Sequence, residues 1–389
     1  MFKYFSKQLA LFLPIKVQNN RLENDMKIAM FGHKRIPSRE GGVEIVVENL
    51  ASRMADKGYD VTIYNRKGHH VSGSEFDSES GIDKLSNVKI KTVFTFQNSS
   101  LNAFVYSILS AIRVSFSRCD VVHIHAEGPA SMSFLPKLFG KKVVVTIHGL
   151  DWQRSKWGGF ATKFLKYGER NAAKYADEVI VLSKNVQQYF KDTYNRDTVY
   201  IPNAVDKPEI KPCDEINKLY GLTKNGYILF LGRIVPEKGI HYLIKAYNEL
   251  SCDKKLVIAG GASHTSEYVN EVKELAKNNK NIIFTDFVQG NVLEELYSNA
   301  YVYVLPSDLE GMSYSNCCIT SDIAECTEVC ENNAIYFEKS DINDLKNKLQ
   351  FAIDNENEVN KYKEKASSYI CEKYNWDDVV EKTLELYKK

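Results

Sequence analysis

The sequence predicts an α/β protein made of two domains, each built around a parallel β-sheet. Apolar, β-branched runs alternate with helix-length segments along the whole 389-residue chain, which is the pattern of parallel strands joined by helices. The alternation stops once, between Tyr200 and Thr223, where Pro202, Pro208 and Pro212 leave no clear periodicity. A chain of this length also exceeds what one ordinary hydrophobic core supports. We therefore expect two Rossmann-like domains joined by this proline-containing segment.

The first half of the chain predicts a tail followed by a domain with six strands. Residues 1–25 contain the apolar run Leu9–Leu13, which is flanked by lysines and is too short for a secretory signal peptide. We interpret these residues as a tail, with an interfacial membrane anchor as the alternative. Helices are expected at Val43–Lys57 and Asn98–Ser117. The expected strands are Lys27–Phe31, Asp60–Asn65, Val88–Phe94, Val121–His125, Val143–His148 and Glu178–Leu182.

The second half repeats the pattern and ends in a long helix. This helix is expected at about Asn357–Tyr387, with a break at Tyr374-Asn375-Trp376. We divide the chain into a tail (1–25), an N-terminal domain (26–205), a C-terminal domain (206–365) and a C-terminal helix (366–389) that packs back on the N-terminal domain. The expected strands are Tyr227–Leu231, Lys255–Ala259, Asn281–Thr285, Tyr301–Leu305 and Cys317–Ser321.

Composition and charge exclude several classes of protein. Charged residues make up 26% and hydrophobic residues 44% of the chain, and the net charge of +1 gives no support for nucleic-acid binding. No apolar run approaches the ~20 residues that cross a bilayer. The eight cysteines form no Cys-x-x-Cys pair, so we expect reduced thiols in a cytosol. Small side chains in a buried strand explain Cys317 and Cys318 better than a metal site shared with Cys326 and Cys330 does.

Two motifs that the sequence lacks narrow the chemistry further. No two aspartates are two positions apart, so the Asp-x-Asp triplet of single-domain, metal-dependent sugar transferases is missing. The first predicted strand is not followed by G-x-G-x-x-G, which disfavours a nicotinamide dehydrogenase. We therefore expect neither a metal ion nor an organic cofactor.

Two loops that follow predicted strands carry the most informative polar residues. One supplies Arg233 and Lys238, and the other supplies Glu310 next to the flexible Gly311. Both loops lie at the carboxyl edge of the predicted sheet, where open α/β proteins bind ligands. A guanidinium and an ammonium group suit a diphosphate, and a carboxylate suits sugar hydroxyls, although solvated surface charges are the alternative. The pattern predicts transfer of a sugar from a nucleotide donor.

From Met26 to the C-terminus, the chain resembles the family 4 glycosyltransferases, which have the two-domain GT-B fold. Residues 32–44, GHKRIPSREGGVE, are similar to the opening of bacterial capsule and cell-wall rhamnosyltransferases. The resemblance implies a retaining, metal-independent enzyme that takes a dTDP- or UDP-linked sugar, with L-rhamnose as the candidate. It also implies an acceptor that is a lipid-diphosphate-linked saccharide. We therefore expect a cytoplasmic protein with peripheral contact at the inner face of the plasma membrane.

The resemblance assigns the donor side of the site to named residues. Arg233 and Lys238 fall on the phosphate-binding positions of the family, and Gly311 and Met312 lie beside the expected diphosphate. Glu310 is expected to hold the sugar hydroxyls and to stabilise positive charge at the anomeric carbon. Because departure of the diphosphate builds negative charge, both cations would stabilise the transition state more than the ground state.

The other assigned residues belong to the N-terminal domain. His148 matches the histidine that contacts the donor sugar in the family, and Gly41-Gly42 matches a loop that lines the cleft. For the histidines at the end of the strand Val121–His125, a structural role is the alternative. Trp152 lies in a loop rich in aromatic and basic residues, which suits a lipid headgroup or a diphosphate-linked acceptor. The alternative is an ordinary loop with partly buried tryptophans. The residues assigned to the acceptor side are His125, Asp151 and Trp152.

The chain departs from the family pattern after Met312. The second Glu of the family, eight positions after the first, holds the donor ribose, but position 318 is Cys318. Between parallel strands a crossover needs ~10–12 residues, and the span from Pro306 to Asn316 leaves room for barely one helical turn. A second hypothesis is therefore a non-catalytic binding or assembly protein of the same fold. A GT-B epimerase or phosphorylase has no distinctive support in the sequence.

Overall fold

The computed structural model describes residues 25–38, 41–68, 85–97, 99–153, 159–207, 209–261, 266–307 and 316–389. Within these ranges it confirms the predicted architecture of two α/β domains, each with a parallel sheet. The first sheet has seven strands and the second has six. Helices pack on both faces of each sheet, so the central strands are buried, as their continuous apolar runs predict.

The N-terminal sheet has the strand order β3-β2-β1-β4-β5-β6-β7. All six strands predicted for this domain are confirmed, with differences of one or two residues at their ends. The sheet has one further strand at its edge, β7, which has only two residues and so gives no periodic signal. The strands are β1 (Lys27–Phe31), β2 (Asp60–Arg66), β3 (Lys89–Val93), β4 (Val121–His125), β5 (Lys142–Ile147), β6 (Glu178–Val181) and β7 (Val199–Tyr200).

Six helices of this domain connect or follow the strands of its sheet. The two helices predicted from periodicity begin and end within two residues of their expected positions. The helices are α1 (Gly42–Asp56), α2 (Ser99–Ser115), α3 (Glu127–Ala130), α4 (Phe134–Leu138), α5 (Gly159–Tyr175) and α6 (Lys184–Tyr194).

The C-terminal sheet has the strand order β10-β9-β8-β11-β12-β13. The predicted strands are again confirmed, and the short edge strand β13 is additional. Strand β12 pairs with β11 in parallel, with Tyr303 opposite Cys318, so the short connection between them does not interrupt the sheet. The strands are β8 (Tyr227–Leu231), β9 (Lys255–Ala259), β10 (Ile282–Asp286), β11 (Val302–Leu305), β12 (Cys318–Ser321) and β13 (Ile335–Phe337).

The second half of the chain ends in two helices, where the sequence predicts one helix with a break. The break falls at residues 374 and 375, as the sequence predicts, and the first of the two helices continues past the domain boundary expected at residue 365. The helices are α7 (Glu215–Tyr220), α8 (Ile240–Asn248), α9 (Ser266–Ala276), α10 (Gly290–Asn299), α11 (Ala324–Cys330), α12 (Ile342–Asp354), α13 (Glu356–Lys373) and α14 (Trp376–Lys388).

The last helix, α14, packs against the N-terminal domain. Its first turn is capped by Asn375, whose side-chain oxygen accepts a hydrogen bond from the Asp378 amide at 2.8 Å. Trp376 and Leu384 are buried in the same hydrophobic core as strand β1 and helix α1. The guanidinium of Arg53 on α1 lies 5.2 Å from the centre of the Trp376 ring. The chain thus returns to its first domain after completing the second.

Candidate active site

The carboxyl ends of β1, β4 and β5 bring a group of histidines together. Gly32, directly after β1, has φ +119°, and a Cβ at this position would lie 2.0 Å from the carbonyl oxygen of His125. Only glycine permits this approach, because a side chain would overlap the backbone of β4. The imidazole of His33 is buried, and its Nε2 lies 2.8 Å from Oδ1 of Asn65 at the end of β2.

Three histidines continue this group from the interior toward the candidate cleft. His123 Nδ1 lies 2.6 Å from the hydroxyl of Tyr387 on α14, and its Nε2 lies 2.7 Å from Oγ1 of Thr146. The rings of His123 and His125 are 4.1 Å apart between centroids. Nδ1 of His125 lies 3.1 Å from Nε2 of His148, so one of these two rings donates a hydrogen bond to the other. His148 is half-buried and is the member that reaches solvent.

Burial keeps the inner histidines neutral. Burial lowers the pKa of His123 to about 3, and it also lowers the pKa of His125 well below 6.5, with the nearby histidines adding to the effect. His125 is fully buried, so a ligand in the cleft meets His148 first. The assignment of His125 to the acceptor side stays a prediction, and the burial of its ring favours the structural role that is the alternative.

A pair of buried carboxyl groups lies below the loop that follows His148. Glu127 at the start of α3 and Glu169 on α5 are both fully buried, and Oε2 of Glu127 and Oε1 of Glu169 have no other hydrogen-bond partner in the described residues, so a proton on Glu127 can join the two carboxyl groups. Burial and the neighbouring Glu169 raise the pKa of Glu127 well above its usual range, so Glu127 is protonated at neutral pH. Glu127 Oε1 accepts a hydrogen bond from the Asp151 amide at 3.2 Å. The pair thereby holds the backbone of the loop that the sequence assigns to the acceptor side.

Glu169 also binds two tyrosine hydroxyls, and Trp152 lies beside one of these tyrosines. Glu169 Oε2 accepts hydrogen bonds from the hydroxyls of Tyr189 and Tyr194, at 2.9 and 2.7 Å. Trp152 lies beside Tyr189, and the ammonium of Lys166 is 4.0 Å from the centre of its ring. Asp151 and Trp152 are each half-buried, so an acceptor can contact them. The sequence reasoning missed Glu127 and Glu169, although Glu127 is the second residue after β4 and the rule for strand ends singles it out.

The Gly41-Gly42 pair lies at the N-terminus of α1. Gly41 has an extended backbone, and the helix start has no side-chain cap. No atom lies within 4 Å of a Cβ built on Gly42. The Glu44 carboxylate in the same turn accepts a hydrogen bond from the Lys34 amide at 2.8 Å, which ties the loop after β1 to the helix. The position of Gly42 is therefore open, whereas a Cβ on Gly41 would lie 2.8 Å from the Glu44 carboxylate, and the assignment of the pair to the cleft stays a prediction.

In the C-terminal domain, two glycines lock three strand-end loops together. Gly239 has φ +64°, and a Cβ there would lie 1.8 Å from the carbonyl oxygen of Pro306, directly after β11. A Cβ on Gly260, after β9, would lie 1.8 Å from the carbonyl oxygen of Gly232, after β8. These contacts place the loop that carries Arg233 and Lys238 against the start of the segment that leads to Glu310.

The two predicted phosphate-binding residues lie on this loop. Arg233 directly follows β8, and Lys238 ends the single 3₁₀ turn Pro236–Lys238. Both side chains are half-buried at the carboxyl edge of the sheet. Glu310, Gly311 and Met312 lie outside the described residues. Immediately before them, Ser307 is fully buried and its carbonyl oxygen accepts a hydrogen bond from the Ser321 hydroxyl, which fixes the start of the segment.

The position at which the family has its second Glu lies inside the core. Cys318 is on β12 and is 3% exposed, so no side chain at this position reaches a ligand. Glu325 and Glu328, on α11, contact the N-terminal domain instead. Glu328 accepts hydrogen bonds from the amide of Lys184 at 3.0 and 3.2 Å, and Glu325 accepts one from the side-chain amide of Asn185 at 3.3 Å. Both carboxylates bridge the two domains at the start of α6.

The described part of the chain has neither a cluster of metal ligands nor a helix suited to crossing a membrane. It contains no group of three or more His, Cys, Asp or Glu side chains placed to hold a metal ion. The cysteines considered as metal ligands are buried in the hydrophobic core as free thiols. None of the helices in these ranges combines the length and the apolar character that crossing a bilayer demands.

Two family models match the chain, one in each domain. The model described as Glycosyltransferase Family 4 matches residues 40–207, and the model described as Glycosyl transferases group 1 matches residues 214–369. Among curated relatives, alpha-maltose-1-phosphate synthase of Mycolicibacterium smegmatis is 25% identical over 305 residues, which cover 69% of this chain and 79% of the relative. An uncharacterized glycosyltransferase of Methanocaldococcus jannaschii is 28% identical over 393 aligned residues, covering 93% of this chain and 98% of the relative.

Solved structures match the whole two-domain fold. Anabaena HepE in complex with UDP and glucose has a TM-score of 0.76 at 14% identity, covering 92% of this chain and 98% of that one. Sucrose-phosphate synthase from Thermosynechococcus elongatus has a TM-score of 0.72 at 17% identity, covering 93% and 98% of the two chains. At these identities the likeness concerns the fold, which is GT-B. None of the four proteins named above is named as a rhamnosyltransferase.

Proposed function

We propose that this GT-B protein transfers a sugar from a nucleotide donor. Residues 40–207 form a glycosyltransferase family 4 domain and residues 214–369 form a group 1 glycosyltransferase domain. The donor is UDP- or dTDP-linked, with dTDP-L-rhamnose as the candidate from residues 32–44. The acceptor is a lipid-diphosphate-linked saccharide at the inner face of the plasma membrane. The reaction retains the configuration of the anomeric carbon and needs no metal ion.

The observation that carries the proposal is the junction of the loops after β8, β9 and β11. The glycine contacts at Gly239 and Gly260 bring Arg233 and Lys238 to the strand end that leads into Glu310. Two cations thereby lie beside the strand end from which the chain continues toward Glu310, and a carboxylate near such a pair would suit a diphosphate next to a sugar. The complexes of HepE with UDP and with UDP-glucose support a nucleotide donor for a protein of this fold.

In the proposed reaction, the bond between the anomeric carbon and the diphosphate oxygen breaks while an acceptor hydroxyl oxygen bonds to that carbon. The leaving phosphate oxygen takes the proton of the hydroxyl, so the protein supplies no base. Arg233 and Lys238 stabilise the charge that grows on the diphosphate. His148, held by neutral His125, donates or accepts a hydrogen bond at the donor sugar. Glu310 stabilises the positive charge on the sugar ring.

The test is a calorimetric titration with dTDP-rhamnose and UDP-sugars, on the wild-type chain and on Arg233→Ala. The variant should bind the donor about 10- to 100-fold more weakly, because a hydrogen bond to a charged group contributes ~1.5–3 kcal/mol. Lys245→Ala, an exposed lysine of α8, is the matched control and should bind as the wild type does. Equal affinity of Arg233→Ala and the wild type for the donor would sink the assignment.

A second candidate, a binding or assembly protein without turnover, has one observation in its favour. Cys318 occupies the position of the family's second Glu and is buried in β12, so the contact to the donor ribose is lost. A chain that binds a nucleotide sugar with Arg233-dependent affinity, and transfers it to no acceptor, is the result that favours this candidate.

A further inference from the structure

Helix α2 is apolar on its outward face as well as on the face that it buries. The inward face packs Tyr106, Ala111 and Val114 in the hydrophobic core and also buries polar side chains, those of Asn102, Ser107, Ser110 and Ser115. The outward face carries large hydrophobic side chains too, and several of them are more than 40% exposed. A helix of a globular domain normally places its apolar stripe toward the core. The exposed or half-exposed apolar side chains on this face and just after it are Leu101, Phe104, Val105, Ile108, Ile112 and Phe116.

The apolar surface continues beyond α2 on both sides. At the C-terminal end, the rings of Phe116 and Phe139 pack at 4.7 Å between centroids, and Leu138 next to them is 76% exposed. Near the other end, the ring of Phe104 packs against Phe164 of α5 at 5.6 Å. Ten of the thirteen large hydrophobic side chains that are exposed in the described ranges lie between residues 90 and 167. A contiguous patch of this kind marks an interaction surface, whereas scattered exposed residues do not.

The charge of the same region shows what kind of partner it fits. Residues 84–176 contain 14 lysines and arginines but only four acidic residues, a formal charge of +10 in a chain whose total is +1. Two of the four acidic residues, Glu127 and Glu169, are fully buried and paired with each other. No acidic residue occurs between positions 84 and 119, which include α2. Two of these cations, Lys89 and Lys137, form ion pairs with Asp60 and Asp177, which lie outside the segment. The remaining excess of positive charge makes the segment basic as well as apolar.

A basic cleft lies beside the C-terminal half of α2. It has a volume of about 430 Å³ and is lined by Tyr64, Lys91, Thr92, Arg113 and Ser117. The Lys91 ammonium is 5.7 Å from the centre of the Tyr64 ring, and Nη1 of Arg113 donates a hydrogen bond to the Thr92 carbonyl oxygen at 2.6 Å. The cleft thus holds two cations and no carboxylate among its lining side chains. Arg113 is one residue from the exposed Ile112, so the cleft adjoins the apolar face.

We propose that the outward face of α2, together with Leu138, Phe139 and the cleft of Lys91 and Arg113, binds the surface of an anionic lipid bilayer. The apolar side chains enter the boundary between headgroups and acyl chains, and the cations pair with lipid phosphates. A bilayer accounts for both properties of the surface, since an apolar partner protein alone leaves the excess of positive charge unmatched. An anionic bilayer also agrees with the lipid-linked acceptor of the proposed function. The membrane-binding proposal rests on that function only in part.

Vesicle binding tests the proposal without any donor or acceptor. The full chain is floated with vesicles of phosphatidylcholine alone and with vesicles that also contain phosphatidylglycerol, at low and high salt. We expect binding to the anionic vesicles and a loss of binding as salt rises. The double variant Phe116→Glu/Leu138→Glu should bind at least about tenfold more weakly, because burial of one such side chain contributes about tenfold or more. Both side chains are exposed, so the variant should fold.

The control places the same charges on exposed hydrophobic residues of the other domain. Ile210 and Leu219 are 81% and 61% exposed, so Ile210→Glu/Leu219→Glu adds equal charge outside the proposed surface and should leave binding unchanged. Equal loss in both double variants, or no binding of the wild type to anionic vesicles, overturns the proposal. Dimerisation of the wild type that only Phe116→Glu/Leu138→Glu abolishes, without vesicle binding, also overturns it and identifies a second copy as the partner. A chain that binds vesicles but transfers no sugar contradicts the proposed function alone.

Discussion

Replacement of Gly239 by alanine tests the junction on which the candidate donor site depends. Gly239 has φ +64°, a conformation that costs a residue with a side chain ~1–2 kcal/mol. A Cβ would also lie 1.8 Å from the carbonyl oxygen of Pro306, whereas ordinary contacts begin at 3.4 Å. The loop that carries Lys238 and the end of β11 must therefore move apart by more than an ångström. Overpacking of this kind costs ~1–3 kcal/mol, so the free energy of unfolding should fall by about 2–5 kcal/mol in total.

The matched control is Gly290→Ala. Gly290 has φ +60°, but no atom lies within 4 Å of its Cβ position, so alanine there carries the backbone cost without the overlap. Gly290→Ala should therefore lower the free energy of unfolding by only ~1–2 kcal/mol. The difference between the two variants isolates the contact with Pro306.

Urea-induced unfolding measures the stability difference, and a titration with a nucleotide sugar measures the effect on the site. Misplacement of reacting groups by about 1 Å can reduce activity ~100-fold, so Gly239→Ala should lose donor binding or turnover even where it remains folded. Gly290→Ala should keep both. If the two variants have the same stability and the same donor affinity, the contact between Gly239 and Pro306 does not organise the site, and the reasoning is refuted.

Three further predictions concern buried polar groups. Tyr387→Phe leaves Nδ1 of buried His123 without its partner and should lower the free energy of unfolding in urea by ~1–3 kcal/mol. The control Tyr167→Phe, at a half-exposed tyrosine, should change this free energy little. Equal changes in the two variants would contradict the buried contact. Glu127→Gln replaces a carboxyl group whose pKa is raised well above its usual range by burial and by Glu169. The stabilising effect of protonated Glu127 is therefore complete below pH 4.5 and declines as pH rises. The variant should match or exceed the wild type in stability at pH 8, and a clear loss of stability there would contradict a protonated Glu127. Burial lowers the pKa of His33 to about 4 and that of His123 to about 3, so both rings are neutral in the folded protein at neutral pH. In the Glu127→Gln background, the free energy of unfolding should therefore fall below pH 6.5 by up to ~1.4 kcal/mol per pH unit for each histidine. A urea midpoint that stays constant between pH 7 and pH 5 would argue against neutral buried rings.

The periodic parts of the fold could be predicted from the sequence. Buried strands of four residues or more, such as β4 and β8, form continuous apolar runs between breaks, and the connection without periodicity separates the two sheets. The edge strands β7 and β13 could not be predicted in this way, because two or three residues carry no period. The break between α13 and α14 was predictable from Tyr374-Asn375-Trp376, since Asn375 caps the next helix.

Some residues of the candidate site could be predicted from the sequence, and others depend on how distant elements pack. His148 directly follows β5, and Arg233 and Lys238 lie in the loop that follows β8, so the rule for strand ends places them at the carboxyl edge. The pairing of Glu127 with Glu169 depends on how α3 packs against α5, which no local pattern encodes. The contact of Tyr387 with His123 joins positions 264 residues apart. The exposed apolar face of α2 is visible only when burial is known, because the sequence does not show which of its apolar residues lie in the core.

Sugar transfer itself tests the central claim most directly. The wild-type chain is incubated with the nucleotide sugar that binds in the calorimetric titration and with a lipid-diphosphate-linked saccharide. The mass of the saccharide is then measured, with Arg233→Ala in parallel. The account predicts an increase by one sugar residue in the wild-type reaction and a much slower increase with Arg233→Ala. A folded chain that binds the donor and leaves the masses of the acceptors tested unchanged contradicts the claim of catalysis and favours the binding protein.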